Sequence, residues 1–321
     1  VTTQKLGSLT FSNQANSAYT AKRNAVLGKR MTKFAKRCLV GIGTLSLAVC
    51  AAYYVINQSV DEYLDYMVWK ALSSDAGDGK YTQIDETNIY FEIHGDGEPL
   101  LLLHGGFTSI DSFYKQIPLF AKNYRVIAVD SRGHGRSNDT TEPFNYADMS
   151  HKMSTLLEQL RIQKTRVVGW SDGGVIGLDL AMRNPGLVSK LVTFGSNFHH
   201  EGLIPNQMSD FDNSEDSELL DLARISYQTI SPHPEKWPEF IKKTLTMWRT
   251  QPTYTIEQLG KITAATLVMV GDDDMIKLSH TETLVEAIDN ATLAVIPDST
   301  HFAPIENPEP VNRLILAFLA N

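Results

Sequence analysis

Residues 165–174, Thr-Arg-Val-Val-Gly-Trp-Ser-Asp-Gly-Gly, constrain the fold of this chain more than any other stretch. The run Arg166-Val167-Val168 predicts a buried strand, and Val175 to Met182 repeat apolar residues at helical spacing, so Ser171 falls at a sharp strand-to-helix turn. Such a turn forces strained backbone angles on the serine, and Gly169 and Gly173 remove side chains that would strike the neighbouring strand and helix. The Ser171 hydroxyl is thereby held in the open as a candidate nucleophile.

A serine hydroxyl is a poor nucleophile until a base takes its proton, so the reading requires a histidine oriented by a carboxylate. The C-terminal half supplies both. Thr266 to Val270 read as a buried strand running into Gly271-Asp272-Asp273-Asp274, and Ala291 to Ile296 read as a second strand followed by Pro297-Asp298-Ser299-Thr300-His301-Phe302. His301 is the candidate base. Among the three aspartates, Asp274 is the candidate acid, because three residues past the glycine let the chain turn back toward the histidine loop. Asp272 and Asp273 then cap the following turn or face solvent. His199 and His200 have no carboxylate or cysteine at ligand spacing, which argues against a metal site there. His104, in a glycine turn, is expected to bond backbone rather than move protons.

The charge of a tetrahedral intermediate also needs donors. Leu100 to Leu103 form an apolar strand that enters His104-Gly105-Gly106-Phe107, where glycine lets backbone N–H groups approach a ligand. The N–H of Gly106, with Phe107 as the alternative, pairs in this reading with the N–H of Asp172, the residue after the nucleophile.

With these motifs in hand, together with Asp130-Ser131-Arg132-Gly133-His134-Gly135-Arg136-Ser137, residues 81–321 resemble the α/β-hydrolase superfamily, near its esterase-like branch. The resemblance implies a structural role for the Asp130 loop. Epoxide hydrolases and haloalkane dehalogenases of that fold carry aspartate at the elbow, and Ser171 argues against both. Prolyl aminopeptidases show Gly-Gly-Pro after the first histidine, and here Phe107 stands where that proline would be.

Strands alternate with helices from about residue 88: Ile89 to Ile93, Leu100 to Leu103, Val126 to Val129, Arg166 to Gly169, Leu191 to Phe194, Thr266 to Val270 and Leu293 to Ile296. This predicts an α/β fold with a mostly parallel central sheet flanked by helices and a ligand site at the carboxyl ends of its strands. Roughly 70 residues separate the strand ending at Phe194 from the one starting at Thr266, where a crossover needs about a dozen. Residues 198–262 are therefore read as a helical cap inserted into a core of residues 81–197 and 263–321. Its aromatics line or pack the site, and Trp237 and Trp248 join Phe107, Trp170 and Phe302 as candidate pocket residues.

The amino end differs in kind. Residues 1–37 hold eight Lys or Arg and no Asp or Glu, and Cys38 to Ile56 follow without a charge. At about 1.5 Å per residue this apolar run would extend about 28 Å as a helix, near the hydrocarbon thickness of a bilayer. We expect an uncleaved transmembrane or signal-anchor helix at 38–56, with a linker at 57–80 and the catalytic domain outside the cytoplasm. Secretion after signal cleavage is the alternative, although Ala48-Val49-Cys50 is a poor cleavage site. Met31, the first methionine, makes a natural start. The chain's net charge is −8, and without the basic arm it falls to about −16, so nucleic acid is not an expected partner. Both cysteines lie in the apolar run, leaving no thiol nucleophile in the domain.

These readings converge on a serine hydrolase for small or medium acyl or aryl esters, working through an acyl-enzyme with no cofactor and no metal. A carbon–carbon bond hydrolase, lactonase or thioesterase would use the same residues. A non-catalytic ligand-binding protein is the alternative from another class.

Overall fold

The computed structural model describes residues 61–70, 79–205 and 218–321. Eight strands form one sheet: β1 (Lys80–Ile84), β2 (Thr87–His94), β3 (Glu98–Leu103), β4 (Tyr124–Val129), β5 (Thr165–Trp170), β6 (Val188–Phe194), β7 (Ala265–Asp273) and β8 (Ala291–Thr300). Their order is β1-β2-β4-β3-β5-β6-β7-β8. β2 runs antiparallel to both neighbours, and every pairing from β4 to β8 is parallel.

The central strands read as unbroken apolar runs because both sheet faces are covered. Leu101 and Leu103 of β3 point into one core layer with Ile127, Val167, Met153 and Ile176. Leu100 and Leu102 point into the other, with Phe113, Phe120, Ile315 and Leu319. The covering helices are α1 (Tyr146–Gln159) and α2 (Asp172–Arg183) on the first face and, near the carboxyl terminus, the helix Pro308–Ala320 on the second. Between β6 and β7 lie α3 (Glu218–Ile230) and α4 (Trp237–Thr250), within the stretch read as a cap. Residues 206–217 of that stretch, including Met208 and Phe211, lie outside the described residues.

Three features depart from the sequence reading. β1 is an additional strand: Lys-Tyr-Thr-Gln-Ile is a polar edge segment in which only Ile84 is buried, so it carries little apolar alternation. β7 does not stop at Gly271 but runs to Asp273, with a register shift against β8 between Gly271 and Asp273. The third departure concerns the membrane. The fold was expected to include an N-terminal transmembrane helix at 38–56, and this expectation is corrected: among the described residues no helix is long and apolar enough to cross a membrane. The apolar residues of α1 pack on the sheet, and α2 is buried on every side from Asp172 to Ala181. Residues 1–37 and 38–56 themselves lie outside the described residues.

Part of the stretch read as a linker is helical, over residues 61–70. Tyr66 is 2% exposed and joins the second core layer. Lys70 Nζ reaches Glu92 Oε1 at 2.5 Å, in a place where β2 buries both Glu92 and His94 completely. The Tyr90 hydroxyl donates to Glu92 Oε1 at 2.8 Å and His94 Nε2 donates to Oε2 at 3.0 Å. Burial pushes the Glu92 carboxyl up, but the His94 hydrogen bond and the Lys70 charge outweigh it and hold the group at about 2, below its ordinary 4.5.

Because breaking a buried ion pair strands the remaining charge, Lys70→Met is expected to cost on the order of 3 kcal/mol in urea unfolding at neutral pH. Glu92's folded pKa is depressed, so its stabilisation is complete above about 4.5 and lost as pH falls toward 2. The melting-temperature gap between the natural chain and Glu92→Gln is therefore expected to narrow across that window. A gap constant from pH 7 to pH 3 would contradict the ionised pair.

Candidate active site

β5 ends at Trp170, α2 begins at Asp172, and Ser171 between them has φ 54° and ψ −120°. A side chain with positive φ is costly, about 1–3 kcal/mol, and persists only where its surroundings enforce it. Here the Ser171 N–H donates to the Phe194 carbonyl at 2.7 Å. The Ser171 carbonyl accepts from the Gly174 and Val175 N–H groups and from Ser196 Oγ. A Cβ on Gly173 would strike the Leu103 carbonyl, so only glycine lets α2 start this close to β3.

The candidate triad comes together. His301 Nε2 lies 2.9 Å from Ser171 Oγ, and His301 Nδ1 lies 2.8 Å from Asp274 Oδ1. A carboxylate only accepts, so Nδ1 carries the proton and the Nε2 lone pair faces the serine hydroxyl. Asp274 is 4% exposed, and the Ile276 and Gly271 N–H groups also donate to its carboxylate. The register shift in β7 turns the chain so that Asp274, rather than its neighbours, reaches the imidazole. Asp273 is exposed. Asp272 accepts from the Asp298 and Ser299 N–H groups at 2.9 Å each, and so holds the loop that carries His301. That role is more specific than the capping or solvent-facing one expected for it.

Two further groups seat the histidine. Gly195, just past β6, has φ +59°, and a Cβ there would lie 2.7 Å from His301 Nδ1 and 3.0 Å from Asp274 Oδ2. The Trp170 indole N–H donates to the His301 carbonyl at 2.9 Å. Trp170 is 2% exposed and packs edge-on against Phe113 and Phe302. Its expected place in the pocket is therefore corrected: side chains alternate along β5, and residue 170 points into the second core layer beneath the histidine. Phe302 packs against the same layer, its ring edge-on to His301.

β3 leads into the expected oxyanion loop. A Cβ on Gly105 would lie 3.2 Å from the Ser171 Cβ, which places this loop beside Ser171. Phe107 has φ 59°. The N–H of Asp172 opens α2, where no helical carbonyl precedes it and the helix dipole favours negative charge. His104 Nδ1 donates to the Gly105 carbonyl at 2.7 Å and its Nε2 accepts from the Ser131 N–H at 3.0 Å, so it braces the loop. Burial lowers His104 to about 4 and His134 to about 3, which keeps both rings neutral.

From α4, Trp248 packs edge-on against Phe107 with centroids 4.8 Å apart, and Trp237 lies 6.0 Å from it. Phe240 and Tyr227 complete the aromatic cluster. The Asp172 side chain was not anticipated. It is 7% exposed, and the Tyr146 hydroxyl donates to Oδ1 at 2.8 Å. The Trp248 indole N–H lies 3.0 Å from Oδ1 and 2.9 Å from Oδ2. Burial pushes the Asp172 carboxyl up, while the Trp248 and Tyr146 hydrogen bonds oppose that shift. Among the described residues, no three His, Cys, Asp or Glu side chains are placed to hold a metal ion.

A family profile described as the alpha/beta hydrolase fold matches residues 98–231. A 2-hydroxy-6-oxononadienedioate/2-hydroxy-6-oxononatrienedioate hydrolase of Comamonas testosteroni is 30% identical over 281 residues, spanning 75% of this chain and 96% of that one. A 2-hydroxy-6-oxo-6-phenylhexa-2,4-dienoate hydrolase of Burkholderia cepacia is also 30% identical, over 77% of this chain and 98% of its own. Among solved structures, an N-acyl homoserine lactone degrading enzyme matches with a TM-score of 0.64 and 26% identity, covering 74% of this chain and 100% of that one. The chain belongs to the α/β-hydrolase family.

If Asp274 fixes the His301 tautomer, Asp274→Asn is expected to lower kcat about ten-thousandfold, while Asp273→Asn changes it less than about twofold. Asp272→Asn should fall between them, since the amide keeps one acceptor for the histidine loop. Gly195→Ala is expected to cut kcat while leaving the fold intact by circular dichroism. Should Asp273→Asn prove the dead variant in steady-state assays, the acid is misassigned.

Proposed function

We propose that this α/β-hydrolase cleaves small to medium carboxylic esters through an acyl-enzyme on Ser171. The observation that carries the reading is the unbroken relay from Asp274 through His301 to a serine held at a strained elbow. His301 takes the Ser171 proton as Oγ attacks the ester carbonyl, and the Asp274 carboxylate supports the imidazolium. The carbonyl oxygen, now an alkoxide, is received by the N–H groups of Asp172 and of Gly106 or Phe107. Collapse expels the alcohol, protonated by His301. Water then attacks the acyl-enzyme with His301 again as base, releasing the acid and restoring the serine.

Substrate class follows from the surroundings. Phe107, Trp237, Trp248 and Phe240 offer apolar, aromatic surface suited to acyl or aryl groups. The Asp172 carboxylate lies against Gly106 and accepts from two uncharged donors, the Tyr146 hydroxyl and the Trp248 indole N–H. Arg132 and Lys243 pair with Asp139, Asp148 and Glu239. Wherever Asp172 is ionised, a substrate carboxylate about 4 Å from it would meet roughly 4 kcal/mol of repulsion at an effective dielectric near 20. That favours uncharged esters. A second reading, hydrolysis of carbon–carbon bonds in vinylogous diketones, is favoured by the relatives named for dienoate and dienedioate substrates.

Purified chain assayed on p-nitrophenyl esters, lactones and vinylogous diketone carboxylates is expected to give its highest kcat/KM on uncharged esters of short or aromatic acids. A preference for the dienoate diketones by an order of magnitude would establish the second reading instead.

A further inference from the structure

The carboxylate of Asp172 takes no part in the mechanism above, yet it touches three elements of the site. Its own backbone N–H is a proposed oxyanion donor. Its Oδ2 lies so close to the other donor loop that a Cβ on Gly106 would come within 2.6 Å of it. The Trp248 ring would meet the same Cβ. Trp248, in the last turn of α4, also donates its indole N–H to both carboxylate oxygens. The remaining bond comes from Tyr146 on α1, a ring buried among core side chains. Burial and the neighbouring carboxylate hold the Tyr146 phenol well above its ordinary 10, so it remains a donor.

We propose that Tyr146, Asp172 and Trp248 form a latch through which the seating of cap helix α4 sets the geometry of the oxyanion hole. The proposal rests on the serine-hydrolase reading. Two directional hydrogen bonds from different elements fix the Asp172 side chain, and a fixed side chain leaves its Cα and adjoining peptide little freedom. Oxyanion donors act only when aimed at the position the charged oxygen will occupy, so small displacements cost rate without weakening ground-state binding in proportion. Trp248 closes the arrangement from the cap side by packing on Phe107, the alternative donor of the loop. In this arrangement Trp248 and Tyr146 are positioning residues.

The test uses Trp248→Phe, which removes the indole N–H and keeps an aromatic ring against Phe107, and Tyr146→Phe, which removes only the hydroxyl. Each is measured for kcat and KM on the best p-nitrophenyl ester, for inhibition by a trifluoromethyl ketone of matching acyl group, and for melting temperature. The ketone adds to the serine and places an alkoxide in the oxyanion hole, so its affinity reports that geometry. Each variant is expected to lose about tenfold in kcat and a similar factor in ketone affinity, part of the hundredfold or more that deleting an oxyanion donor costs. KM should stay within about twofold, because ground-state binding is not what changes. In an Asp172→Ala background, Trp248→Phe should have little further effect, since both act through one network.

If kcat and ketone affinity stay unchanged in both variants while melting temperature falls, the three residues serve stability alone and the latch is wrong. A rise in KM with unchanged kcat overturns it as well, by making Trp248 a simple pocket wall. A natural chain that neither turns over any ester nor binds the ketone removes the serine-hydrolase reading, and the latch with it.

Discussion

The close approach of β3, β5 and α2 at Ser171 is the constraint on which the site depends. Gly173 lets the first turn of α2 lie on the Leu103 carbonyl, and the Phe194 carbonyl takes the Ser171 N–H from the other side. Held between these neighbours, the serine keeps a left-handed backbone that a free chain would abandon. The parallel register of β3, β5 and β6 then sets the rest. Each strand ends at the same edge, where β3 delivers the Gly106 loop, β5 delivers Ser171, and β6 the glycine on which His301 and Asp274 close.

Two carboxylates border Ser171, and their surroundings differ. Asp274 faces the imidazole and takes further bonds from backbone N–H groups, so it supports a positive charge on His301. Asp172 is held by a phenol and an indole on the side of the oxyanion loop. Through that indole the Asp172 side chain also ties α4 to α2, the helix that follows Ser171.

Much of the site was legible in local pattern, because each of its parts is short and carries glycine or follows an apolar strand. Ser171, His301, Asp274 and the His104-Gly105-Gly106 loop could be read within a dozen residues of sequence each. Features created by pairing over distance were not. The role of Asp272 depends on a strand twenty-six residues away, and that of Tyr146 on a side chain from another helix. The pocket expectation for Trp170 fails because the period-two alternation of β5 turns its ring to the opposite face. β1 and the helix over residues 61–70 escaped notice for a related reason. β1 is a mostly polar edge strand, the helix is too short for its apolar residues to show a period, and Lys70 makes sense only beside the buried Glu92.

The central claim, that Ser171 carries an acyl group during turnover, is tested most directly by rapid-quench mass spectrometry of the intact protein mixed with a p-nitrophenyl ester. The account predicts a burst of about one p-nitrophenolate per chain, matched by a mass increase of one acyl group that peptide mapping places on Ser171. Turnover with no covalent species, or an acyl group mapped to another residue, would contradict it.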